Sequence, residues 1–299
     1  MKLSFKSLLF ILTITGAATC SCLHGTTLLP RQTTEHGHVK VSDFSYVGER
    51  GPINWASLSG SNTLCRSGTT QSPINIDDTI NKVPVGGTPV SLIPTVNEAA
   101  IENLGTALEV IVNGTTMYQN KPFSLRQLHY HTPSEHHLHE EHFPLEMHMV
   151  HQSDSGEFAT RIPLATSPKS SPDGSVVVLA ILFQLSEDGS STDLVTSSIE
   201  NIESVREPGY ISKTGRLDFT QITQSFATET SYTYTGSFTT PPCTEGVTFI
   251  VLEKPFDLDV KTYNAIKSVT KYNSRYLQNQ PHHKNLIRIE EESDGCSAH

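Results

Sequence analysis

Two short segments place three histidines at spacings that suit a metal site. Residues 127–131 read QLHYH, and residues 146–148 read EMH. Both belong to runs in which polar and apolar residues alternate, which predicts β-strands, and residues two apart on a strand share a face. His129, His131 and His148 could therefore meet at one point. Three neutral imidazoles with a fourth position left open form a catalytic zinc site, where the pKa of a bound water falls to about 7.

Two polar residues strengthen this interpretation. A ligating histidine usually donates its other ring N–H to an acceptor that fixes its tautomer. Gln127 and Glu146 each lie two residues before a candidate ligand, on the same face of the strand. We therefore expect these two side chains to be the acceptors.

The histidine content of the chain also allows a less specific interpretation. There are 14 histidines, and four more of them lie between the two segments. A loosely metal-binding, His-rich tract is the alternative to a specific zinc site. These four occupy a polar stretch that ends at Pro144, and we expect them to be loop residues: His136, His137, His139 and His142.

Further motifs extend the pattern along the chain in a characteristic order. They read QSPINI (71–76), SEH (134–136), LEMHMVH (145–151) and GSFTTPPCTEGV (236–247). Together with QLHYH they resemble the alpha-class carbonic anhydrases, over about residues 44–288. The resemblance implies a large twisted sheet, mostly antiparallel, with a zinc ion at the base of a cone-shaped cleft.

The resemblance also implies a reaction and a role for each motif residue. Zn²⁺ held by His129, His131 and His148 would support the reversible hydration of carbon dioxide to bicarbonate and a proton. Thr239 would accept a hydrogen bond from the zinc-bound hydroxide and donate its own proton to Glu135. An ionised carboxylate can only accept, so a hydroxyl held by it has no proton left for the zinc ligand. The backbone N–H of Thr239 would then face the substrate.

Carbon dioxide is apolar, so the site needs an apolar wall. The resemblance assigns this wall to four residues that would otherwise be read as ordinary core, as apolar strand residues usually are. It places Thr240 in the substrate pocket and Tyr46 at its rim, with Trp55 packed nearby. The four wall residues are Val150, Val178, Phe238 and Val247.

One position departs from the family pattern. Efficient relatives often carry a histidine shortly after an Asn-Gly pair, where it carries a proton from the zinc site to solvent. This chain has Thr106 there. Threonine has no pKa near neutrality and cannot store a proton. We therefore expect proton export through water and buffer, or through an unidentified histidine such as His36 or His38 of the N-terminal extension.

The strand and helix signals predict a single, mainly β domain, and the resemblance implies that residues 43–289 form its catalytic part. Apolar or alternating runs broken by Pro, Gly, Ser and Asp predict strands. Helical spacing occurs in two places, residues 192–202 and 260–272, the first behind a cap at Ser191 or Thr192. The predicted strand segments are 108–112, 123–131, 145–151, 176–185 and 247–252.

The two ends of the chain predict secretion. Residues 1–18 combine a basic start, an apolar core and small residues, as in a signal peptide, and the apolar run is too short to span a membrane. Removing Lys2 and Lys6 with it would change the formal net charge from −10 to −12. This acidity argues against a nucleic-acid partner. We expect flexible extensions at 19–42 and in the acidic tail, 290–299, and an extracellular location, or a periplasmic one in a bacterium.

Cysteine usage agrees with an oxidising compartment. Of 5 cysteines, Cys20 and Cys22 flank the predicted cleavage region and Cys296 lies in the tail. This leaves Cys65 and Cys243 as the interior pair. Secreted relatives join cysteines at these two motif positions, so the resemblance implies a disulfide between them, with two unrelated thiols as the alternative.

The sequence also contains an acceptor site for glycosylation and allows two alternative functions. Asn113-Gly114-Thr115 is an acceptor sequence for N-glycosylation in a eukaryotic secretory pathway. The chain could also be a catalytically silent binding module on the same fold, or a secreted zinc-binding protein without turnover. Retention of the three histidines with Glu135 and Thr239 argues against the first, and the open fourth ligand position argues against the second.

Overall fold

The computed structural model describes residues 31–34, 37–85, 90–153 and 176–289, with the side chains of 90–92 left aside. The predicted signal peptide, the acidic tail, His36 and the cysteines at 20, 22 and 296 lie outside the described residues. Within these residues, no helix has the length and hydrophobicity needed to cross a bilayer.

Most of the described chain forms β-strands. The strands are β1 (Asn75–Ile76), β2 (Asn81–Val83), β3 (Val90–Leu92), β4 (Ala100–Asn103), β5 (Leu108–Tyr118), β6 (Lys121–His131), β7 (His137–Leu138), β8 (Leu145–Ser153), β9 (Val176–Leu185), β10 (Ile211–Lys213), β11 (Ser231–Ser237), β12 (Glu245–Leu252) and β13 (Phe256–Leu258).

Short helices lie between these strands. The α-helices are α1 (Trp55–Leu58), α2 (Leu64–Ser67), α3 (Asp193–Ser198), α4 (Thr220–Thr228) and α5 (Val260–Thr270). Single 3₁₀ turns occupy Gly48–Arg50, Pro52–Asn54, Gly60–Asn62 and Ile202–Val205.

One large sheet contains eleven of the described strands. Their order is β10-β4-β5-β6-β8-β9-β12-β11-β2, while β3 pairs with β5 and β13 pairs with β9. All pairs are antiparallel except β9 with β12 and β9 with β13. Separately, β1 and β7 form a two-stranded parallel sheet. The predicted fold class, mainly β with a large, mostly antiparallel sheet, is confirmed.

The strands β6 and β8 are buried on both faces of the sheet. In their register Tyr130 lies opposite Met147, and His129 lies opposite His148. Because side chains alternate along a strand, these two pairs lie on opposite faces. Tyr130 and Met147 join the larger apolar core with Leu128. The histidines lie on the other face, which also carries a second apolar cluster around Val178.

The helices agree with the sequence in part. The predicted helix at 192–202 ends at Ser198, and Thr192 precedes it in an extended conformation without capping its first turn. The backbone leaves the helical region at Ile199 (φ −106°, ψ 13°), and a 3₁₀ turn follows. The second predicted helix is present as α5, where Asp259 accepts a hydrogen bond from the N–H of Thr262.

The sequence does not predict helix α4. Its sequence, TQITQSFAT, contains several residues of low helix propensity. Ile222 and Phe226 are spaced by four residues and are fully buried in the larger core. Tertiary packing of this pair therefore stabilises a helix that local preference does not favour.

Part of the N-terminal extension packs against the domain, which corrects the expectation of a flexible segment. Val39 is buried, and its N–H donates to the carbonyl of Gly209 at 2.9 Å. The N–H of Ser42 donates to the carbonyl of Leu104, also at 2.9 Å. Arg31 forms an ion pair with the buried carboxylate of Glu102. Burial of one apolar side chain and pairing of the backbone hold residues 37–42 in place.

Candidate metal centre

Three buried histidines meet on one face of the central sheet. His129 and His131 are on β6, and His148 is on β8, directly opposite His129. Their ring centroids lie 4.9 Å apart for His129 and His131, 5.3 Å for His129 and His148, and 4.6 Å for His131 and His148. One nitrogen from each ring lies within 4.8 Å of the other two. The structure thus brings together the three residues that the sequence proposes as ligands.

One nitrogen of each ring makes a hydrogen bond that fixes the tautomer of the ring. His129 Nδ1 lies 2.8 Å from Gln127 Oε1, and His131 Nδ1 lies 2.8 Å from the carbonyl oxygen of Asn273. His148 Nε2 lies 2.6 Å from Glu146 Oε1. Since these partners are acceptors, the committed nitrogens carry the protons. The lone pairs left over are on Nε2 of His129 and His131, and on Nδ1 of His148.

Glu146 is the anionic centre of this network. Besides His148, its Oε1 accepts a hydrogen bond from Nδ1 of His136 at 2.6 Å. Its Oε2 accepts from the backbone N–H groups of Glu135 at 2.7 Å and His136 at 2.8 Å. Burial raises the pKa of Glu146, but His136 and His148 outweigh this effect and hold its pKa well below the usual range. Glu146 is therefore ionised at neutral pH.

His136 is not the simple loop residue that the sequence suggests. It follows β6 in irregular backbone, yet it is fully buried. Its Nε2 lies 2.6 Å from the hydroxyl of Tyr234, which in turn lies 2.9 Å from Ser72 Oγ. The nitrogens of His136 and His148 are close to Glu146, but both carry protons donated to its carboxylate. The motif SEH belongs to the resemblance and includes His136, so it was the one feature of the sequence that could have indicated a role for His136 in the site.

The other three histidines of that stretch differ from His136. His137 begins β7 and is half-buried, whereas His139 and His142 are exposed. The sequence predicts a loop for all three, and this is wrong for His137 because its backbone pairs with β1.

The donor set fits a divalent zinc ion. His131 Nε2 is buried and has no hydrogen-bond partner within the part of the chain that the structure describes. Burial lowers the pKa of His129 well below its usual value and lowers that of His131 as well. Both rings are therefore neutral at pH 7, as metal coordination requires. Three imidazoles are ligands that zinc accepts in catalytic sites.

Burial alone would lower the pKa of His148, but the charge of Glu146 reverses the direction and raises this pKa. The same carboxylate makes His148 a more basic ligand. His148 thus differs in electrostatic environment from the two ligands on β6.

Glu135 lies close to two of the histidines. Its Oε2 lies 3.4 Å from Nε2 of His131 and 4.0 Å from Nδ1 of His148. Its Oε1 accepts a hydrogen bond from the N–H of Arg275 at 3.0 Å, and among the described residues Oε2 has no hydrogen-bond partner. The role that the resemblance gives to Thr239 beside this carboxylate stays a prediction. Thr239 is itself buried.

Two residues after α5 support the site and were missed in the sequence. The carbonyl of Asn273 accepts a hydrogen bond from His131. Its side chain accepts from the N–H of Thr132 at 2.7 Å and donates to the carbonyl of Tyr130 at 2.8 Å. Arg275 is buried and donates to the carbonyl of Ser72 at 2.8 Å. Neither residue carries a local signal, since their partners lie more than a hundred positions away in the chain.

The proposed apolar wall lies on the ligand face of the sheet. Val150 is two residues beyond His148 and lies opposite Val178, so both share this face. Phe238 and Val247 belong to the same buried cluster. These four residues thus form continuous apolar packing beside the histidines.

Thr240 and Tyr46 occupy different surroundings. Thr240 is fully buried, and its carbonyl accepts a hydrogen bond from the N–H of Cys243 at 2.9 Å. Tyr46 packs edge-on against Trp55, with ring centroids 5.5 Å apart, in a small cluster with Phe44. The predicted packing of Trp55 near Tyr46 is present.

A disulfide bond joins Cys65 and Cys243, as the resemblance implies. It links α2 to the segment that carries Thr239, across 178 residues of sequence. Gln71 donates a hydrogen bond to the carbonyl of Cys243 at 3.1 Å, and Arg275 donates to the carbonyl of Cys65 at 3.2 Å. The bridge therefore belongs to a wider set of contacts that hold this segment.

Thr106 lies in the turn between β4 and β5 and is buried. Its hydroxyl donates to Ser42 Oγ at 2.8 Å, and its carbonyl accepts from the side chain of Asn273 at 3.1 Å. A second residue singled out in the sequence, Asn113, is exposed on β5. Its side chain is accessible, as glycosylation requires.

The chain is similar in sequence to known proteins of one family. A family model described as eukaryotic-type carbonic anhydrase matches residues 50–289. A carbonic anhydrase from Pectobacterium atrosepticum is 30% identical over 244 residues, which are 79% of this chain and 86% of the relative. Dioscorin DB3L from Dioscorea polystachya is 33% identical over 228 residues, covering 71% of this chain and 72% of the relative.

A solved structure shows the same relationship. The fungal alpha carbonic anhydrase from Aspergillus oryzae is 37% identical and aligns with a TM-score of 0.74, covering 83% of this chain and 98% of that structure. The residues matched by the family model include all three histidines of the candidate metal centre.

Proposed function

The chain belongs to the eukaryotic-type carbonic anhydrase family, and we propose that it hydrates carbon dioxide reversibly to bicarbonate and a proton at a zinc ion held by His129, His131 and His148. The observation that carries this proposal is the arrangement of the three rings. Each commits one N–H to a protein acceptor, and one remaining nitrogen from each lies within 4.8 Å of the other two. When bound, zinc supplies a Lewis acid that lowers the pKa of a water ligand to about 7.

The surrounding residues orient the three rings. Gln127 and the carbonyl of Asn273 fix the tautomers of His129 and His131, and Glu146 fixes that of His148. Partners of this kind typically change metal affinity or activity by about 10- to 100-fold when they are removed. Because Glu146 alone is ionised among these three acceptors, it balances part of the charge of a divalent cation.

Thr239 and Glu135 direct the nucleophile in this proposal. Glu135 Oε2 is an acceptor without a hydrogen-bond partner among the described residues, so it can accept a hydrogen bond from the hydroxyl of Thr239 in this proposal. With its only proton on that bond, the Thr239 oxygen can accept but not donate. It would thus orient the attacking oxygen, while the N–H of Thr239 faces an oxygen of the substrate.

The apolar wall explains the choice of substrate. Carbon dioxide has no charge and no hydrogen to donate, so it favours apolar surroundings over water. Val150, Val178, Phe238 and Val247 provide such surroundings on the ligand face of the sheet. In this proposal Thr240 and Tyr46 limit the pocket on its polar sides, where water and bicarbonate enter and leave.

A metal-replacement experiment tests the proposal. Purified protein should contain about one zinc per chain, as a three-histidine site holds. Carbon dioxide hydration, followed by stopped flow, should disappear with a strong chelator and return with added zinc. His131→Ala should lose the metal and more than about 10³-fold in kcat/KM, because several kcal/mol of transition-state stabilisation depend on the metal.

A matched control is available in the same region. His139→Asn changes an exposed histidine with φ 49°, a conformation that Asn tolerates, and should leave zinc content and activity unchanged. Full activity in chelated protein, or stoichiometric zinc in His131→Ala, would contradict the proposal. Zinc-loaded protein without any hydration activity would favour a secreted zinc-binding protein without turnover instead.

The proposed enzyme acts outside the cytoplasm. The sequence of residues 1–18 has the features of a signal peptide, and the bond between Cys65 and Cys243 suits an oxidising compartment. The exposed Asn113 would accept a glycan in a eukaryotic secretory pathway. Mass spectrometry of the secreted protein tests both proposals, through the mature N-terminus and through a mass loss on glycosidase treatment.

A further inference from the structure

A tight hairpin beside the metal centre presents two histidines that the proposed reaction does not use. Leu138 and Glu141 exchange two backbone hydrogen bonds, of 3.0 and 2.9 Å. The two residues between them have positive φ angles, 49° at His139 and 71° at Glu140. Positive φ at both central residues is typical of a type I′ hairpin turn. The hairpin therefore has a defined register.

The hairpin brings His137 and His142, one on each arm, close together. They are the residues that flank the bridge between Leu138 and Glu141. Their ring centroids lie 5.8 Å apart, with 40° between the ring planes. Two imidazoles at this separation can offer one nitrogen each to a single ion after small side-chain rotations.

Both rings are available to a ligand from solution. His142 is exposed and His137 is half-buried. Within the described part of the chain, neither ring nitrogen of either residue makes a hydrogen bond, in contrast to the histidines of the metal centre. Burial, and then His142, lowers the pKa of His137, so this ring is neutral at pH 7. The carboxylates of Glu140 and Glu141, both exposed on the turn, add negative charge nearby.

From this geometry we infer that His137 and His142 form a second, surface metal site, which binds a divalent transition ion through two imidazoles and completes its coordination with water. Imidazole suits Cu²⁺, Ni²⁺ and Zn²⁺, and Cu²⁺ has the highest affinity of this series for a given site. The hairpin already holds the two side chains on one face, so little additional ordering accompanies binding. The site shares no residue with the candidate zinc centre, and the inference does not depend on the proposed function.

Copper titration of zinc-loaded protein tests this inference. Zinc in the buried centre leaves the surface pair as the expected site for added Cu²⁺, which calorimetry can quantify. Electron paramagnetic resonance should show nitrogen couplings from two imidazoles. His142→Gln should weaken Cu²⁺ binding by at least about tenfold, because the second ligand no longer acts within the same site. His137→Gln should do the same, and the couplings should fall to one nitrogen in each variant.

The control variant is His139→Asn, which changes the neighbouring histidine of the same turn. It should retain the affinity and the two-nitrogen signal of the unsubstituted protein. Zinc content, measured in every variant, should stay the same and so confirm that the buried centre is intact. His142 is exposed, so His142→Gln keeps the test valid even if His137→Gln disturbs the pairing of β7 with β1. Unchanged copper binding in His142→Gln would overturn the inference, as would an equal loss in His139→Asn.

Discussion

The two faces of the β6–β8 strand pair have the same backbone and opposite chemistry. On one face Tyr130 lies opposite Met147 and both join the larger apolar core. On the other face His129 lies opposite His148, beside the anionic Glu146. All five side chains are buried. Because side chains alternate along the two strands, one face contributes to the stability of the fold and the other forms the metal centre. A substitution on the core face should therefore change mainly the stability, and a substitution on the other face should change mainly the metal site.

The sharpest test of this separation removes bulk from the core face. Met147→Ala should lower the free energy of unfolding by about 2 to 5 kcal/mol, because a buried side chain is replaced by a cavity. Zinc affinity of the folded protein should stay within a few-fold of the original. Chemical denaturation and metal analysis on the same samples measure the two effects. A large loss of zinc affinity at temperatures where the variant is fully folded would break the comparison.

Removing the disulfide bond tests whether the metal-centre face of the sheet depends on contacts from outside the sheet. Replacing both Cys65 and Cys243 by Ser should lower the stability by about 2 to 4 kcal/mol, the typical range for a native disulfide. Activity should also fall in the folded variant, because Thr239 lies in the segment that the bridge holds. Denaturation curves and hydration kinetics report these changes. Unchanged kinetics would show that the Thr239 segment keeps its position without the bond.

A substitution of Thr239 tests the chemistry of the ligand face, because it leaves the apolar core unchanged. Thr239→Ala should retain zinc and lose about 2 to 3 kcal/mol of transition-state stabilisation, the scale of one preorganised polar contact. Stability should change little in comparison with Met147→Ala. Thr239→Ser keeps the hydroxyl and is the matched control, with most of the activity retained. Equal kinetics for the Ala and Ser variants, both loaded with zinc, would contradict the role proposed for this hydroxyl.

Gln127 tests how far the acceptors of the ring N–H groups determine metal binding. Gln127→Ala should weaken zinc binding by about 10- to 100-fold, as removal of a partner to a metal ligand usually does. Competition with a chelator of known affinity measures this change. Gln127→Glu keeps an acceptor oxygen for His129 and should retain most of the affinity. An unaltered affinity in Gln127→Ala would mean that strand geometry alone orients His129.

The smallest expected effect concerns export of the proton. Thr106 cannot store a proton near neutral pH, and its hydroxyl donates a hydrogen bond to Ser42. In dilute buffer, turnover should therefore be limited by proton transfer, and added imidazole should raise kcat by a few-fold, up to about tenfold. The value of kcat/KM should not change, because hydration precedes this step. A kcat that is independent of buffer concentration would indicate a relay group within the protein.

Much of the candidate centre could be predicted from strand periodicity. An alternation of two residues was sufficient to place His129 and His131 on one face and to pair His129 with Gln127, because both relations are local. The resemblance supplied the cysteine pair, which the structure confirms. The same local reasoning failed for His136, since nothing in a polar stretch between two strands indicates that one of its histidines is buried against Glu146 and Tyr234.

What the sequence determined by itself is therefore the set of chemical groups and their spacing on each strand, and hence the fold class and the likeness to a zinc enzyme. Only the tertiary structure decided which distant groups complete the site. Asn273 lies 142 residues from His131, and Arg275 lies 140 residues from Glu135. Strand alternation acts over two residues, whereas contacts of this range depend on how the whole chain packs.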